Sequence, residues 1–139
     1  MQSKKIKDNY VISIDRGEEI IKSLLDFCEK NKIKLGHFSG IGAVNKAELA
    51  HYSVETKKYS TKIINEPLEI LNMAGNVTTM GKKCYIHAHI ALSDEKMNAI
   101  GGHLKSAVVS AACEIFLVKI DSEVERIYDK SIGLNMLKF

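Results

Sequence analysis

Apolar and polar positions along the chain change period near residue 32, and that change predicts the order of elements. Tyr10 to Asp15 alternates and is rich in β-formers, so it predicts a first strand that Arg16-Gly17 ends. From Glu18 to Asn31 the apolar residues Ile20, Ile21, Leu24, Leu25, Phe27 and Cys28 fall on one stripe of a 3.6-residue period, which predicts a helix. Asp15 or Gly17 is expected to cap it, with Glu18 and Glu19 opposing the positive end of its dipole. Beyond the helix, short alternating runs broken by Gly, Asn, Pro or charged pairs take over, the signature of antiparallel pairing. They predict strands near Lys34–Gly42, Lys46–Val54, Lys58–Ile64, Leu68–Val77, Cys84–Ser93 and Ala112–Ile120. Leu104, Ala107 and Val108 repeat at helical spacing after Gly101-Gly102, so a short second helical or turn segment is expected over Gly102–Val109. Arg126, Ile127 and Tyr128 are expected to add an edge strand.

The expected fold is therefore α+β: an antiparallel sheet of about seven strands flanked by helices. No internal repeat or low-complexity tract divides the chain, so one domain over 1–139, with its core over about 8–139, is expected. A chain of 139 residues is long enough to build a core without staples. No apolar run reaches the length of a membrane span. The basic start, Lys4-Lys5-Ile6-Lys7, leads into Asp8 and Asn9 rather than an apolar signal segment, and a cytoplasmic protein is expected. Three cysteines, Cys28, Cys84 and Cys113, make an odd set without a C-x-x-C pair, and are expected to be reduced core residues. The formal charge is +3, and all the cations but Arg16 and Arg126 are lysines spread along the chain.

The run with the most chemistry is Cys84-Tyr85-Ile86-His87-Ala88-His89-Ile90-Ala91-Leu92-Ser93. On a strand, Cys84, Ile86, Ala88, Ile90 and Leu92 share one face, and His87 and His89 stand together on the other. Two imidazoles at i and i+2 can lean together on one ion at Zn–N distances of about 2.0–2.1 Å. His103, just after the freely turning Gly101-Gly102, is the candidate third ligand. Three histidines leave one position of a tetrahedral site open, as a catalytic or ligand-binding ion requires. Glu114 is a candidate fourth ligand, or an acceptor that fixes an imidazole tautomer. Against this stands the ordinary reading, in which these histidines are half-buried sheet or turn residues bonded to their neighbours. His37 and His51 have no partner at ligand spacing.

Other motifs carry little. Ser39-Gly40-Ile41-Gly42-Ala43-Val44-Asn45 lacks the third glycine of a dinucleotide loop and runs into a strand instead of a helix. There is no nucleophile elbow, P-loop or H-E-x-x-H helix. The pairs Lys4-Lys5, Lys57-Lys58 and Lys82-Lys83 read as solvated turns, and no aromatic stripe interleaves them.

Arg16-Gly17-Glu18-Glu19, Phe38-Ser39-Gly40-Ile41-Gly42-Ala43, Leu68 to Asn76, His87 to Asp94, Gly101-Gly102-His103-Leu104, Glu114 and Gly133-Leu134 occur in the order found in the plant and prokaryote conserved domain. The chain resembles a stand-alone prokaryotic member of that family over residues 8 to 139. The resemblance implies an antiparallel sheet flanked by helices, a homotrimer, and in some members a metal at positions matching His87, His89 and His103. The fold it implies is similar to that of acetolactate decarboxylase. Plant members follow AT-hooks and bind DNA, but this chain has no Arg-Gly-Arg-Pro hook, and Glu66-Pro67 stands where plant members have Gly-Arg.

Two functions follow as expectations. The first is a trimeric regulatory module, DNA-associated, with a divalent metal, zinc foremost, in a structural or sensory role. The second is a small zinc enzyme acting on a carbonyl or carboxylate compound, with Glu114 or a bound water moving protons. The second needs a cation to hold a carboxylate, and the sequence places neither Arg16 nor Arg126 at the site.

Overall fold

A computed structural model describes all 139 residues. It is mainly β and corrects the α+β expectation: nine strands form one mixed sheet, and there is a single helix. In chain order the elements are β1 (Gln2–Ile6), β2 (Asn9–Asp15), α1 (Ile20–Lys30), β3 (Gly36–Ser53), β4 (Lys58–Ile64), β5 (Leu68–Met80), β6 (Lys83–Ser93), β7 (Ala99–Lys119), β8 (Glu125–Asp129) and β9 (Leu134–Lys138). Their order across the sheet is β1-β2-β7-β3-β5-β8-β9, with β4 on β3 and β6 joining β5 to β7. The ladders β3–β5, β5–β6, β6–β7 and β7–β3 thus form a closed circuit. The one parallel contact, Thr79 with Glu125, attaches the β8–β9 hairpin.

The expected second helix does not exist: Gly102–Val109 is part of the long strand β7. Its helix-like spacing comes from bulges. The β3–β7 register slips between Gly42 and Val44, Val44 and Lys46, and Glu48 and Leu49. Each slip changes which face a residue points to, so the buried positions become Leu104, Ala107 and Val109 instead of a strict alternation. The two strands expected over Lys34–Gly42 and Lys46–Val54 are likewise one bent strand, β3. Gly42 sits at the bend with φ +150°, where a Cβ would lie 2.2 Å from the Ala112 carbonyl oxygen.

Helix α1 lies where the 3.6-residue stripe put it. Ile20, Leu24, Phe27 and Cys28 are its buried residues, and it packs on β6 and β7. Phe27 meets Tyr10 edge-on at 5.1 Å. Neither Asp15 nor Gly17 caps it. Glu19 does, its carboxylate accepting from the Ile21 and Lys22 amides and also from the Ala107 amide of β7 at 2.9 Å. One side chain thus closes the helix and fills a gap in a bulged ladder. The apolar faces of the strands and of α1 merge in one cluster of 26 buried residues. The basic start forms the edge strand β1, whose lysines keep that edge from pairing further.

Candidate metal centre

The connection between β6 and β7 sets up the site. Asp94 accepts hydrogen bonds from the Lys96 and Asn98 amides, at 2.9 and 2.8 Å, and from the Asn98 side chain at 3.0 Å. The turn pairs Ser93 with Ala99, and antiparallel register then places His89 directly opposite His103. His103 is therefore a strand residue, not the product of a flexible glycine turn. Gly101 and Gly102 are instead places of close approach: a Cβ would lie 2.6 Å from the Ile90 oxygen at the first and 2.9 Å from the Ala50 oxygen at the second.

Alternation works as expected in β6. Ala88, Ile90 and Leu92 are buried in the core, and Cys84 and Ile86 pack against it. His87 and His89 share the other face, His87 half-buried and His89 exposed. The centroids of the His87 and His89 rings lie 5.2 Å apart, His87 and His103 5.1 Å, and His89 and His103 5.6 Å. Their ligand atoms all lie within 4.8 Å of one another. A tetrahedral zinc site needs nitrogens about 3.3 Å apart, a distance that modest ring rotations reach. Three imidazole nitrogens that converge this closely are a donor set that fits a divalent cation.

The electrostatics favour neutral rings at His87 and His103. Burial, then the positive neighbours His103, Arg126 and His89, pushes His87 down to about 4. His103 is also held below the ordinary imidazole range, first by burial and then by His89 and Lys105.

The β6–β7 ladder stops at the His89–His103 rung, and two grooves open beyond it. One, about 530 Å³, is lined by Tyr59, Asn76, Tyr85, His87, His103 and Arg126 and by residues of β9. The other, about 470 Å³, runs along His51, Tyr52, His87, His89 and His103. Neither is lined by an Asp or Glu side chain. Glu114, expected as a fourth ligand or an acceptor for an imidazole, is exposed on the far half of β7, in a separate groove with Ile41, Glu69 and Asp94. The bulges of β7 and ten intervening residues carry it away from His103. Cys84 points to the opposite face, as expected, and His37 lies on β3 outside the cluster.

Sequence reasoning missed Arg126, which is 7 % exposed. Its Nε donates to Thr78 Oγ1 at 2.9 Å, one terminal nitrogen to the Asn135 carbonyl at 2.7 Å, and the other to Asn76 Oδ1 at 3.0 Å. Its guanidinium stands 5.0 Å from the centre of the Tyr85 ring. Only its rarity, as one of two arginines, marked it in the sequence.

Fold and site together define a mainly β protein with a three-imidazole cluster where two adjacent strands begin to part. The Plants and Prokaryotes Conserved (PCC) domain matches residues 1–121, and the chain belongs to that family. A candidate DNA-binding protein from Bacteroides thetaiotaomicron is similar at 35% identity and TM-score 0.97, covering 99% of this chain and 96% of that one. A metal-containing protein from Archaeoglobus fulgidus is similar at 34% identity and TM-score 0.90, covering 97% and 96%. A plant- and prokaryote-conserved protein from Pyrococcus horikoshii is similar at 27% identity and TM-score 0.89, covering 99% and 94%. The expected likeness to acetolactate decarboxylase holds for the fold alone: the Bacillus subtilis enzyme gives TM-score 0.57 at 16% identity, covering 84% of this chain and 54% of that one. Among curated proteins nothing matches.

Proposed function

We propose that this protein is a metal-binding module in which His87, His89 and His103 hold one divalent cation, zinc foremost, with a coordination position left for a ligand. The convergence of the three ligand atoms within 4.8 Å carries the reading. The similar protein from Archaeoglobus fulgidus, which contains metal, supports it. The bound ion would supply a Lewis-acidic centre; the chain supplies three imidazoles, the Tyr59 ring 5.8 Å from His103, and grooves for a ligand. A binding or sensory role fits better than catalysis, because neither groove offers an Asp or Glu side chain to move protons, and Glu114 lies elsewhere. The alternative of a small enzyme acting on carbonyl or carboxylate compounds is favoured by one observation, the placement of Arg126 in the groove of His87.

Elemental analysis of untagged, dialysed protein tests the metal reading. About one equivalent of zinc per chain is expected in the wild type, and almost none after His87→Ala with His103→Ala. Equal metal content in the two proteins would return the histidines to ordinary sheet residues.

Assembly as a homotrimer is part of the same proposal. Exposed Ile41, Leu71 and Phe116 support it as apolar surface that a partner copy would cover. Sedimentation should then give three times the 15.5 kDa chain mass. No helix is long and apolar enough to cross a membrane, and the three free cysteines support a reducing, cytoplasmic setting. DNA association is supported by the similar candidate DNA-binding protein. It would not run through α1, whose outward Lys22, Asp26, Glu29 and Lys30 balance in charge. If duplex DNA binds, log affinity should fall with log salt by about 0.9 per phosphate neutralised. Lack of any band shift at low salt would remove this part.

A further inference from the structure

Arg126 is the only charged residue among the buried ones. Taking a guanidinium out of water is unfavourable unless opposite charge or good hydrogen bonds replace its hydration. Here every partner is neutral: the Thr78 hydroxyl, the Asn76 amide oxygen, the Asn135 carbonyl and the face of Tyr85. The five ion pairs of the protein all lie elsewhere. Three of its five N–H groups are used, which leaves one on each terminal nitrogen.

A residue that only tied the β8–β9 hairpin to β5 would need no open space beside it. Arg126 instead lines the groove of about 530 Å³ that His87 and His103 also line, and Leu134, Met136 and Leu137 form an apolar wall there. A fixed cation, a cluster suited to a second cation and a hydrocarbon wall thus share one small space.

We infer that this groove binds a small monocarboxylate, with the carboxylate on Arg126, a second oxygen-bearing group toward the histidine cluster, and a short hydrocarbon part against the β9 wall. Two free N–H groups on one planar guanidinium match the two oxygens of a carboxylate. A cationic ligand is excluded by the charge already present. The inference rests on the metal reading above, so its test reports on the two separately.

Cobalt(II)-loaded protein is titrated with lactate and, in parallel, with lactamide, its neutral isostere, while the visible d–d bands are followed. Lactate should shift the bands saturably and lactamide should bind at least tenfold more weakly. Arg126→Gln should remove that preference, and Arg126→Lys should restore part of it, in protein whose cobalt content is unchanged. Where Arg126→Gln fails to fold, Arg126→Lys, which keeps the charge and loses the paired N–H groups, takes its place and should weaken lactate more than lactamide; an unchanged preference overturns the inference. Protein that takes up no cobalt overturns the metal reading and this inference with it. Cobalt bands that ignore lactate, or respond equally to lactamide, overturn this inference alone.

Discussion

His89 and His103 face each other across the last rung of the β6–β7 ladder, their ring centroids 5.6 Å apart. The rung exists because the Asp94 turn fixes the register and because Gly101 lets the Ile90 carbonyl come close. A methyl group at Gly101 would meet that backbone oxygen at 2.6 Å, and a strand cannot yield there without shifting. Gly101→Ala should cost about 1–3 kcal/mol in urea unfolding and weaken zinc binding at least tenfold in a chelator competition. Unchanged affinity with lowered stability would show that the cluster does not depend on this rung.

Glu19 joins two elements through one carboxylate, which caps α1 and accepts from the Ala107 amide. Glu19→Ala removes a helix cap and leaves a strand N–H without a partner. The expected loss is about 1–3 kcal/mol, while Glu19→Gln, which keeps an acceptor oxygen, should lose less. Chemical denaturation of the three proteins decides the order.

The pH dependence of the metal-free protein follows from His87. Its folded value of about 4 lies below the ordinary imidazole value of 6.5, so between those limits the unfolded chain binds the extra proton. His87 therefore contributes stability that is present above pH 6.5 and lost as pH falls through the window to about 4. Thermal unfolding in chelator should show the melting temperature dropping across this window, and His87→Gln should flatten the drop. An identical pH profile in the variant would assign the effect to other groups.

The three thiols should react unequally. A hydrogen bond with Cys84, then burial, holds Cys28 above the ordinary thiol range, and burial, then the Glu114 charge, pushes Cys113 up to about 12. Half-buried Cys84 is held low by Cys28, against the opposing effect of burial. Alkylation of native protein near pH 8, read by mass spectrometry, should label Cys84 first and leave the other two until unfolding. Early labelling of Cys113 would mean that the core opens more readily than its packing indicates.

What the chain carried in its own pattern were features set by neighbours in sequence. The stripe of α1, the alternation that separates Ala88, Ile90 and Leu92 from His87 and His89, and the span of β4 all follow from side-chain direction along a single element. What only the tertiary structure decided were relationships across elements. The spacing of Leu104, Ala107 and Val108 suggested a helix, but bulges shift the face of β7 so that Leu104, Ala107 and Val109 are the buried residues of a strand, and the α+β expectation failed. The same ladder placed His103 by register instead of by a loose turn, and carried Glu114 into a different groove. Arg126 came to the histidines because a hairpin far along the chain packs beside β5, a contact with no local period to announce it. Strand pairing depends on hydrogen bonds between distant residues, and one inserted residue reverses every side chain after it, so no window of the sequence contains that information.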